Sequence, residues 1–480
     1  MKARRSQVRS GADLGPWLPS IMSRILFRSP REHGLGHGWG MKAAGYSRCG
    51  WMCAAGFLCW LFPKSASAQQ AFQSALSLDA VVAQQTSSQT ETNPVVNLPA
   101  LAPHWGPLGL NVGAYSSVTS DNNINLANNN TESDFILGTG LNLQALWQET
   151  GKSVVQLSSQ VGYNFYLQHP DHDYLQITPG SALTWTLNLD DWYFTFFDQF
   201  NYTRNDIAVP SVSNISGIPI VQNNAGIRVQ WEPGHWLFEG DYSYDNYFST
   251  SSQYNYLNNA ADYYFGRAGW RFASSTQAGI EASASFTHFT HPPQTDTTSY
   301  SAGPYVQWQV DPAINVSLHA GPTYYQFAAS PNGGQPASSL TAYYINLDLV
   351  HKINQFWTEE VTVARSVNLG FNQGSIYDEE LDLGYTLRWY PNPWLNFFAS
   401  ADYQTGQQPF QELVFIPPNF IAASDVTEHY SRYGFSPGVY YQMTHHLNSS
   451  LVFSHWTRDS NIAINRYADD MVTLQIQYQF

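Results

Sequence analysis

The chain has 480 residues, of which 43% are hydrophobic, 15% aromatic and only 12% charged, and its formal net charge is −15. About 25% of the residues of a typical soluble globular protein are charged, and the sequence contains no run of about 18 apolar residues that could form a membrane helix. The acidic balance argues against nucleic-acid binding, which needs a basic face. These values favour an all-β protein whose sheet is polar on one side and apolar on the other.

The N-terminal part differs in charge from the rest of the chain. Ten of the 21 Lys and Arg but only two of the 36 Asp and Glu precede Gln69, so the remainder holds 11 basic and 34 acidic residues, a net charge of −23. The segment from Met41 to Ala68 has a basic start, an apolar centre over residues 49–62 and the sequence Ala66-Ser67-Ala68 directly before Gln69. This order predicts a secretory signal peptide cleaved before Gln69, with a short membrane anchor as the less favoured alternative.

These signals divide the chain into four segments. We interpret residues 1–40 as a spurious extension ahead of a true start at Met41, residues 41–68 as the signal peptide, residues 69–103 as a flexible periplasmic leader, and residues 104–480 as the body of the protein. All three cysteines, at positions 49, 53 and 59, lie before residue 69. The body therefore has no cysteine for a disulfide bond or a metal site.

From about Pro107 the chain repeats segments of 10–15 residues in which apolar and polar side chains alternate. In one example, Leu381, Leu383, Tyr385, Leu387 and Trp389 alternate with Glu380, Asp382, Thr386 and Arg388. Such alternation is typical of strands with one apolar face. Short connections such as Asp190-Asp191 and Pro233-Gly234 alternate with longer polar loops. Examples of these loops are Ser120–Ser133, Asn205–Gln222, Ala328–Ser338 and Gly406–Thr427. The pattern predicts an all-β fold, a transmembrane antiparallel up-and-down β-barrel of about 18 strands, with 16 as the alternative.

Tryptophans cluster at the predicted strand ends beside the short connections. They are Trp192, Trp231, Trp236, Trp270, Trp308, Trp357, Trp389 and Trp394. Indole rings prefer the membrane–water interface, so this arrangement predicts an aromatic girdle. A soluble sandwich or propeller is the alternative, but its strands would be about 5–6 residues long.

The last strand carries the sharpest signal. Val472, Leu474, Ile476, Tyr478 and Phe480 alternate with polar residues up to the end of the sequence. A final strand with aromatic residues at Tyr478 and Phe480 resembles the assembly signal of outer-membrane barrels in Gram-negative bacteria. It predicts an outer-membrane location with both termini on the periplasmic side, and it implies contact with lipid, lipopolysaccharide and the barrel assembly machinery.

The beginning of the barrel suggests a narrower relationship. Gly109–Gly113 form a first strand, the polar loop Ser120–Leu126 follows, and a second strand of apolar residues and glycines begins at Asp134. In this hairpin the chain resembles the outer-membrane group named β-barrel porin 2. The resemblance implies a pore, and some similar proteins occur with machinery for exopolysaccharide export. It assigns no functional residue.

Strand parity places a set of charged residues on the polar, inward face. They are Arg228, Arg267, Arg271, Lys352, Arg388, Arg432, Glu239, Asp241, Asp245, Glu281, Asp348, Glu380, Asp382 and Asp402. Charges that line an aqueous lumen favour one sign of ion, and the excess of acids predicts weak cation selectivity. The alternative is that these charges solvate the wall or pair with one another.

Parity also makes two predictions about other side chains. It puts Asp198 and Arg365 on the lipid side, where an Arg near mid-bilayer costs about 2–4 kcal/mol, so each needs an interfacial position or a β-bulge. It puts Tyr305, Tyr325, Tyr344 and Tyr440 on the lumen side. Tyrosines there could stack on sugar rings, although filling of the wall is the favoured interpretation.

The sequence predicts no enzyme and calls for no cofactor. No serine lies in a G-x-S-x-G motif, and the twelve histidines of the body lie mostly in loops, near turns or singly. The segment His169–Asp173 has two imidazoles and two carboxylates that could bind a divalent ion, but a solvated loop is favoured, and we predict no metal site.

The favoured function is a porin-like channel for passive diffusion of small polar solutes or ions. The alternatives are an exopolysaccharide export pore and a structural or adhesive barrel whose outer loops bind a partner. The oligomeric state stays open.

Overall fold

The computed structural model describes residues 104–480 except 205–208, 216, 330–335, 373–374 and 417–418. The predicted extension, signal peptide, cleavage site at Ala66, Ala68 and Gln69, and leader lie outside the described residues. The described residues form the following strands: β1 His104–Trp105, β2 Leu108–Asp121, β3 Asp134–Thr150, β4 Ser153–Tyr166, β5 Tyr174–Ile177, β6 Ala182–Leu189, β7 Trp192–Thr203, β8 Ile220–Trp231, β9 Trp236–Ser249, β10 Asn259–Ala273, β11 Thr276–Phe289, β12 Thr297–Asp311, β13 Ile314–Phe327, β14 Ser338–His351, β15 Trp357–Leu369, β16 Tyr377–Asn392, β17 Leu395–Ile416, β18 Asn419–Gln442, β19 Leu447–Ser460 and β20 Tyr467–Gln479.

The strands form one closed antiparallel sheet. Except for β5 and β6, which do not pair with each other, consecutive strands pair, and β2 closes the barrel by pairing Gly113–Asp121 with Met471–Gln479 of β20. Both β5 and β6 pair with β4 and with β7, so together they occupy one position in the wall. The two-residue strand β1 adds only a short pairing to β2. The wall therefore has 18 strands, which confirms the predicted fold and count.

The break between β5 and β6 has a local cause. Pro179 has no N–H to donate to a neighbouring strand, and Gly180 adopts a left-handed φ of 94°, which glycine reaches without a steric penalty. The alternation survives the break, because Leu175 before it and Leu183 and Trp185 after it are all exposed on the outer face.

The connections alternate in length as predicted, with one correction. Short connections such as Asp190-Asp191 join strands at one end of the barrel, and longer ones such as residues 122–133 join them at the other. The segment Gly406–Thr427, predicted as a polar loop, instead continues β17 and β18 as a paired hairpin, with partners from Gly406 and Tyr430 to Ile416 and Asn419. That prediction is wrong because residues 410–422 are largely apolar and β-prone apart from Pro417-Pro418, and they continue the ladder on both sides of these prolines.

Apolar side chains cover the outer face. Leu451, Val472, Leu474, Ile476 and Tyr478 are each 43–46% exposed. Seven of the eight predicted girdle tryptophans are at least 36% exposed; these are Trp192, Trp231, Trp236, Trp270, Trp308, Trp389 and Trp394. Their rings contact one another across strands, as Trp192 and Trp231 do with centroids 5.3 Å apart. The predicted girdle at the short-connection end is confirmed.

The helices are short. Three 3-10 helices lie in loops at the long-loop end, at Pro170–His172, Ser252–Leu257 and Ala463–Asn465. Across the described part of the chain, none of the helices has the length and apolar character needed to cross a membrane.

The ladder between β14 and β15 ends early. It covers seven residue pairs, from His351 and Glu359 to Ile345 and Arg365, although β14 continues to Ser338 and stays paired with β13. Beyond the last pair, side chains hold the backbone: Arg365 donates to the Tyr343 carbonyl at 2.6 Å, and Tyr325 donates to the Val367 carbonyl at 3.2 Å. The wall is closed there by side chains, not by strand pairing.

Candidate functional site

The inner wall of the barrel brings many of the predicted charges together. Polar and apolar side chains alternate along each strand, and the apolar set is exposed on the outside, so the buried polar set faces inward. Among the buried side chains are Arg228, Glu239, Arg267, Glu281, Glu380 and Arg432, with at most 8% of each residue exposed. That these residues line a pore stays a prediction.

Strands β8, β9 and β10 hold a paired stripe of four charged residues, Arg228, Glu239, Asp241 and Arg267. Arg228 donates to both carboxylate oxygens of Asp241, at 2.8–3.0 Å. Arg267 donates to Glu239 at 2.9 Å. The cross-strand register places these residues side by side, since Arg228 lies opposite Asp241 and Arg267 opposite Glu239. In this paired stripe, each arginine has a carboxylate partner.

A second buried group continues around the wall. Glu281 of β11 accepts a hydrogen bond from the Tyr344 hydroxyl at 2.9 Å and contacts His319 at 2.8 Å. The imidazole of His319 stacks on Tyr305, with ring centroids 5.7 Å apart. His319 had no place in the sequence prediction, although it shares the inward parity of its strand.

The opposite part of the wall, over β16–β20, is rich in acids. This acidic wall comprises Asp378, Glu380, Asp382, Asp402, Glu428 and Asp469, accompanied by Arg432 and Arg458. Arg458 pairs with Glu428 at 2.9 Å, and Arg432 stacks on Trp456 at 3.9 Å and donates to Gln404. Six carboxylates thus share two guanidinium groups.

Several of these residues were missed at the sequence level. Asp378, Glu428, Arg458 and Asp469 are buried on the inner face, and their parity would have placed them there. Arg458 lies within β19, two residues before its end at Ser460. The Arg458 guanidinium also contacts the β7–β8 loop, because it donates to the Pro210 carbonyl at 2.9 Å. The β7–β8 loop therefore reaches the inner face of β19.

Three of the predicted cations lie near the short-connection end. Arg271 is about a third exposed and pairs with Glu232 of the β8–β9 connection at 3.0 Å. Lys352 is exposed and follows the last residue of β14, so it lies at the rim and not on the wall itself. Arg388 pairs with Glu360 at 2.8 Å.

Asp198 and Arg365 face outward, as their parity predicts. Asp198 is exposed and accepts a hydrogen bond from Asn223. Arg365 lies over the Tyr343 ring at 3.8 Å and pairs with Glu379 at 2.9 Å. The expected bulge is not needed at Arg365, because a carboxylate and an aromatic face neutralise and cover its charge.

The His169–Asp173 loop has a structural use. His169 lies 2.9 Å from the fully buried carboxylate of Asp134 at the start of β3. Burial lowers the pKa of His172, and the nearby Arg204 lowers it further, so His172 is neutral near pH 7. Among the described residues, no group of three or more His, Cys, Asp or Glu is arranged to hold a metal ion.

The geometry settles the class of the protein. A closed antiparallel barrel with strands mostly 12–17 residues long, an apolar outer face, a tryptophan girdle and a polar inner face is built to cross a lipid bilayer. The chain is a bacterial outer-membrane β-barrel.

Comparison with known proteins adds similarity of shape only. No family model matches the chain, and no curated protein does, so the resemblance to the β-barrel porin 2 group stays a prediction. Among solved structures, the chain is similar to the Pseudomonas aeruginosa outer membrane protein OpdK, with a TM-score of 0.44 and 11% identity over 77% of this chain and 99% of that one. It is also similar to OccK5 (OpdH), with a TM-score of 0.43 and 13% identity over 77% and 98%. A third is OccK2 (OpdF) in complex with glucuronate, with a TM-score of 0.42 and 12% identity over 78% and 98%.

Proposed function

We propose that the protein is a porin-like channel for passive diffusion of small polar solutes or ions and that it is weakly cation-selective. The observation that carries the proposal is the inner face of the closed 18-stranded barrel, which carries polar and charged side chains. A barrel of 16–18 strands is wide enough to leave an aqueous channel. Ionic groups on the inner face interact favourably with polar solutes and ions that pass through the lumen.

The sign of the selectivity follows from the distribution of partners. Charges in the paired stripe largely cancel at short range, because each arginine faces a carboxylate. The acidic wall keeps an excess of carboxylates, which raises the local concentration of cations. The proposed selectivity therefore depends on the acidic wall and not on the total charge of the chain.

The test is conductance of the purified, refolded barrel in a planar bilayer under a KCl gradient. We expect stepwise conductance and a reversal potential of the sign given by K⁺ preference. Conductance with Cl⁻ preference would refute the selectivity, and a folded barrel without conductance would refute the channel itself.

A structural or adhesive barrel is the second candidate, and one observation favours it. The β7–β8 loop crosses to β19, where Arg458 holds the Pro210 carbonyl, and Asn372 of the β15–β16 loop donates to the Ser211 carbonyl at 3.1 Å. Loops that meet over the lumen could close it. The same bilayer experiment separates this candidate from the channel, because a closed barrel would give no current.

A further inference from the structure

Three residues of the inner wall are connected in the order used by serine hydrolases. Glu281 accepts a hydrogen bond from Nδ1 of His319 at 2.8 Å, and Nε2 of His319 lies 3.2 Å from the Ser317 hydroxyl. With Nδ1 donating to the carboxylate, Nε2 is the acceptor and the hydroxyl donates. A carboxylate, an imidazole and a hydroxyl so joined make the imidazole a base for the hydroxyl.

The carboxylate and the imidazole are buried, whereas the serine is more accessible, as a nucleophile must be. The side chains of Glu281 and His319 are 1% and 3% exposed, so water does not compete for their hydrogen bond. Ser317 lies two residues before His319 on the same face of β13 and is only partly buried. The hydroxyl is thus the one member of the group that a solute in the lumen can reach.

Neighbouring residues hold the histidine in place. The Tyr305 ring stacks on the imidazole with an interplanar angle of 10°, and the Tyr344 hydroxyl donates to the second oxygen of Glu281. Tyr344 is 1% exposed and Tyr305 2% exposed. Together these contacts fix the ring orientation on which base catalysis depends.

The residue cross-strand from Ser317 carries a side-chain amide. Gln307 of β12 is directly opposite Ser317 in the ladder, where side chains lie about 4.5–5.5 Å apart at their Cβ atoms. The amide oxygen of Gln307 accepts a hydrogen bond from Gln277, which turns its NH₂ group away from Gln277. A side-chain amide is a known type of oxyanion donor. On the other side of Ser317 the register places Asp348, an acid that suits a substrate carrying positive charge.

We propose that Ser317, His319 and Glu281 form a hydrolytic site in the lumen wall that cleaves short acyl esters of polar alcohols. Ser317 and His319 are the catalytic residues, Glu281 is a positioning residue, and Gln307 is the oxyanion donor. The site adds an activity to the channel, and it rests on the proposed function only because the ester must enter the lumen.

The reaction balances without any oxidant or metal. The Ser317 oxygen bonds to the ester carbonyl carbon while its proton passes to Nε2 of His319, and the carbonyl electron pair moves onto oxygen beside Gln307. The carbonyl re-forms as the bond to the alcohol oxygen breaks, and the alcohol leaves with the proton from His319. Water then repeats both steps on the acyl-serine, which releases a carboxylic acid and restores the hydroxyl.

The barrel supplies its own control. Thr457, His455 and Asp470 are connected in the same order, at 2.9 and 2.7 Å, but they lie on the outer face, and the His455 and Asp470 side chains are 43% and 44% exposed. A simple polar network would make the two sets equivalent. Our proposal requires that only the inner set reacts.

The experiment uses the refolded barrel in detergent, with 4-nitrophenyl acetate as substrate and a fluorophosphonate as a label for an activated serine. We expect the wild-type protein and T457A to be labelled and to hydrolyse the ester, and S317A to lose the label and its rate above background. E281Q should slow hydrolysis by roughly 10²–10⁴-fold and change its pH profile, with partial recovery in E281D. Heat-modifiable gel mobility confirms that each variant is folded.

Two results would overturn the proposal: a folded wild-type barrel that takes no label, or an S317A barrel that is labelled as strongly as the wild type. Conductance of the same preparations is measured in parallel. A barrel that conducts but is not labelled refutes the hydrolytic site alone, and a labelled barrel that does not conduct refutes the diffusion channel alone.

Discussion

The paired stripe on β8–β10 and the acidic wall on β16–β20 are both buried rows of charge, yet they are organised differently. In the stripe, Arg228 and Arg267 each meet a carboxylate across a strand pair. In the acidic wall, Arg458 is engaged by Glu428 and by a loop carbonyl. Complementary pairs cancel at short range, so we expect the stripe to contribute little to the field of the lumen and the excess of acids in the other region to dominate it.

The largest effect is expected from breaking one pair of the stripe. R228A leaves Asp241 buried without its arginine, and loss of one partner of a buried ion pair typically costs about 3–5 kcal/mol. We expect the free energy of unfolding, measured by urea titration in lipid vesicles, to fall by this order. Arg466, whose pair with Asp459 is about half exposed, is the control, and R466A should cost only about 0–1 kcal/mol. Equal effects of the two variants would refute the structural role of the stripe.

The next largest effect is expected from placing a charge on the outer face of the barrel. It tests which strand face points inward, and the comparison of the stripe with the acidic wall depends on that assignment. L474R places a cation on the exposed apolar face of β20, where Arg near mid-bilayer costs about 2–4 kcal/mol. Q475R, one residue along, places the same charge on the inner face. We expect L474R to lower the stability of the barrel in lipid vesicles far more than Q475R does. The reverse order would invert the assignment of the two faces.

The acidic wall should control ion selectivity. The double variant E380Q/D382N removes two of its inward carboxylates, and we expect the K⁺ preference, measured as the reversal potential in a KCl gradient, to decrease. Asp262 is the matched control, because it lies on the outer face beside Tyr242, which donates to it at 2.8 Å. A reversal potential that changes in D262N, or does not change in the double variant, would contradict this assignment.

The smallest effect is expected from removing a charge pair as a unit. The variant R228M/D241L deletes one positive and one negative charge of the stripe and replaces them with apolar side chains. Because the net charge of the wall is unchanged, the reversal potential should stay close to the wild-type value. Replacing a buried ion pair with apolar residues is often neutral for stability, so this barrel should also fold. A clear shift in selectivity would show that the stripe contributes to the field.

Alternation made much of this architecture predictable. Because side chains on a strand point to opposite faces in turn, the sequence placed Arg228, Glu239 and Glu380 inside and Asp198 and Arg365 outside without any knowledge of the fold. The tryptophans marked the short-connection end of the barrel because indole rings prefer the membrane–water interface. Strand count followed from counting these segments.

The hydrogen-bond and ion-pair partners of these side chains were not predictable, because they depend on the register between neighbouring strands. Ser317 and His319 share a face by sequence alone, but Glu281 lies two strands away, and only the folded wall brings it within 2.8 Å of His319. The same holds for Arg458, whose contact with Pro210 spans 248 positions. Lys352 was assigned to the inner face by parity, but β14 ends one residue earlier, at His351.

The early end of the β14–β15 ladder has a consequence for how the barrel meets other proteins. A stretch of strand without a neighbour is a template on which a strand from another chain can pair. Here the guanidinium of Arg365 occupies the Tyr343 carbonyl and the Tyr325 hydroxyl occupies the Val367 carbonyl. Acceptors that an incoming strand would need are already in use, so this part of the wall is protected against edge-to-edge aggregation.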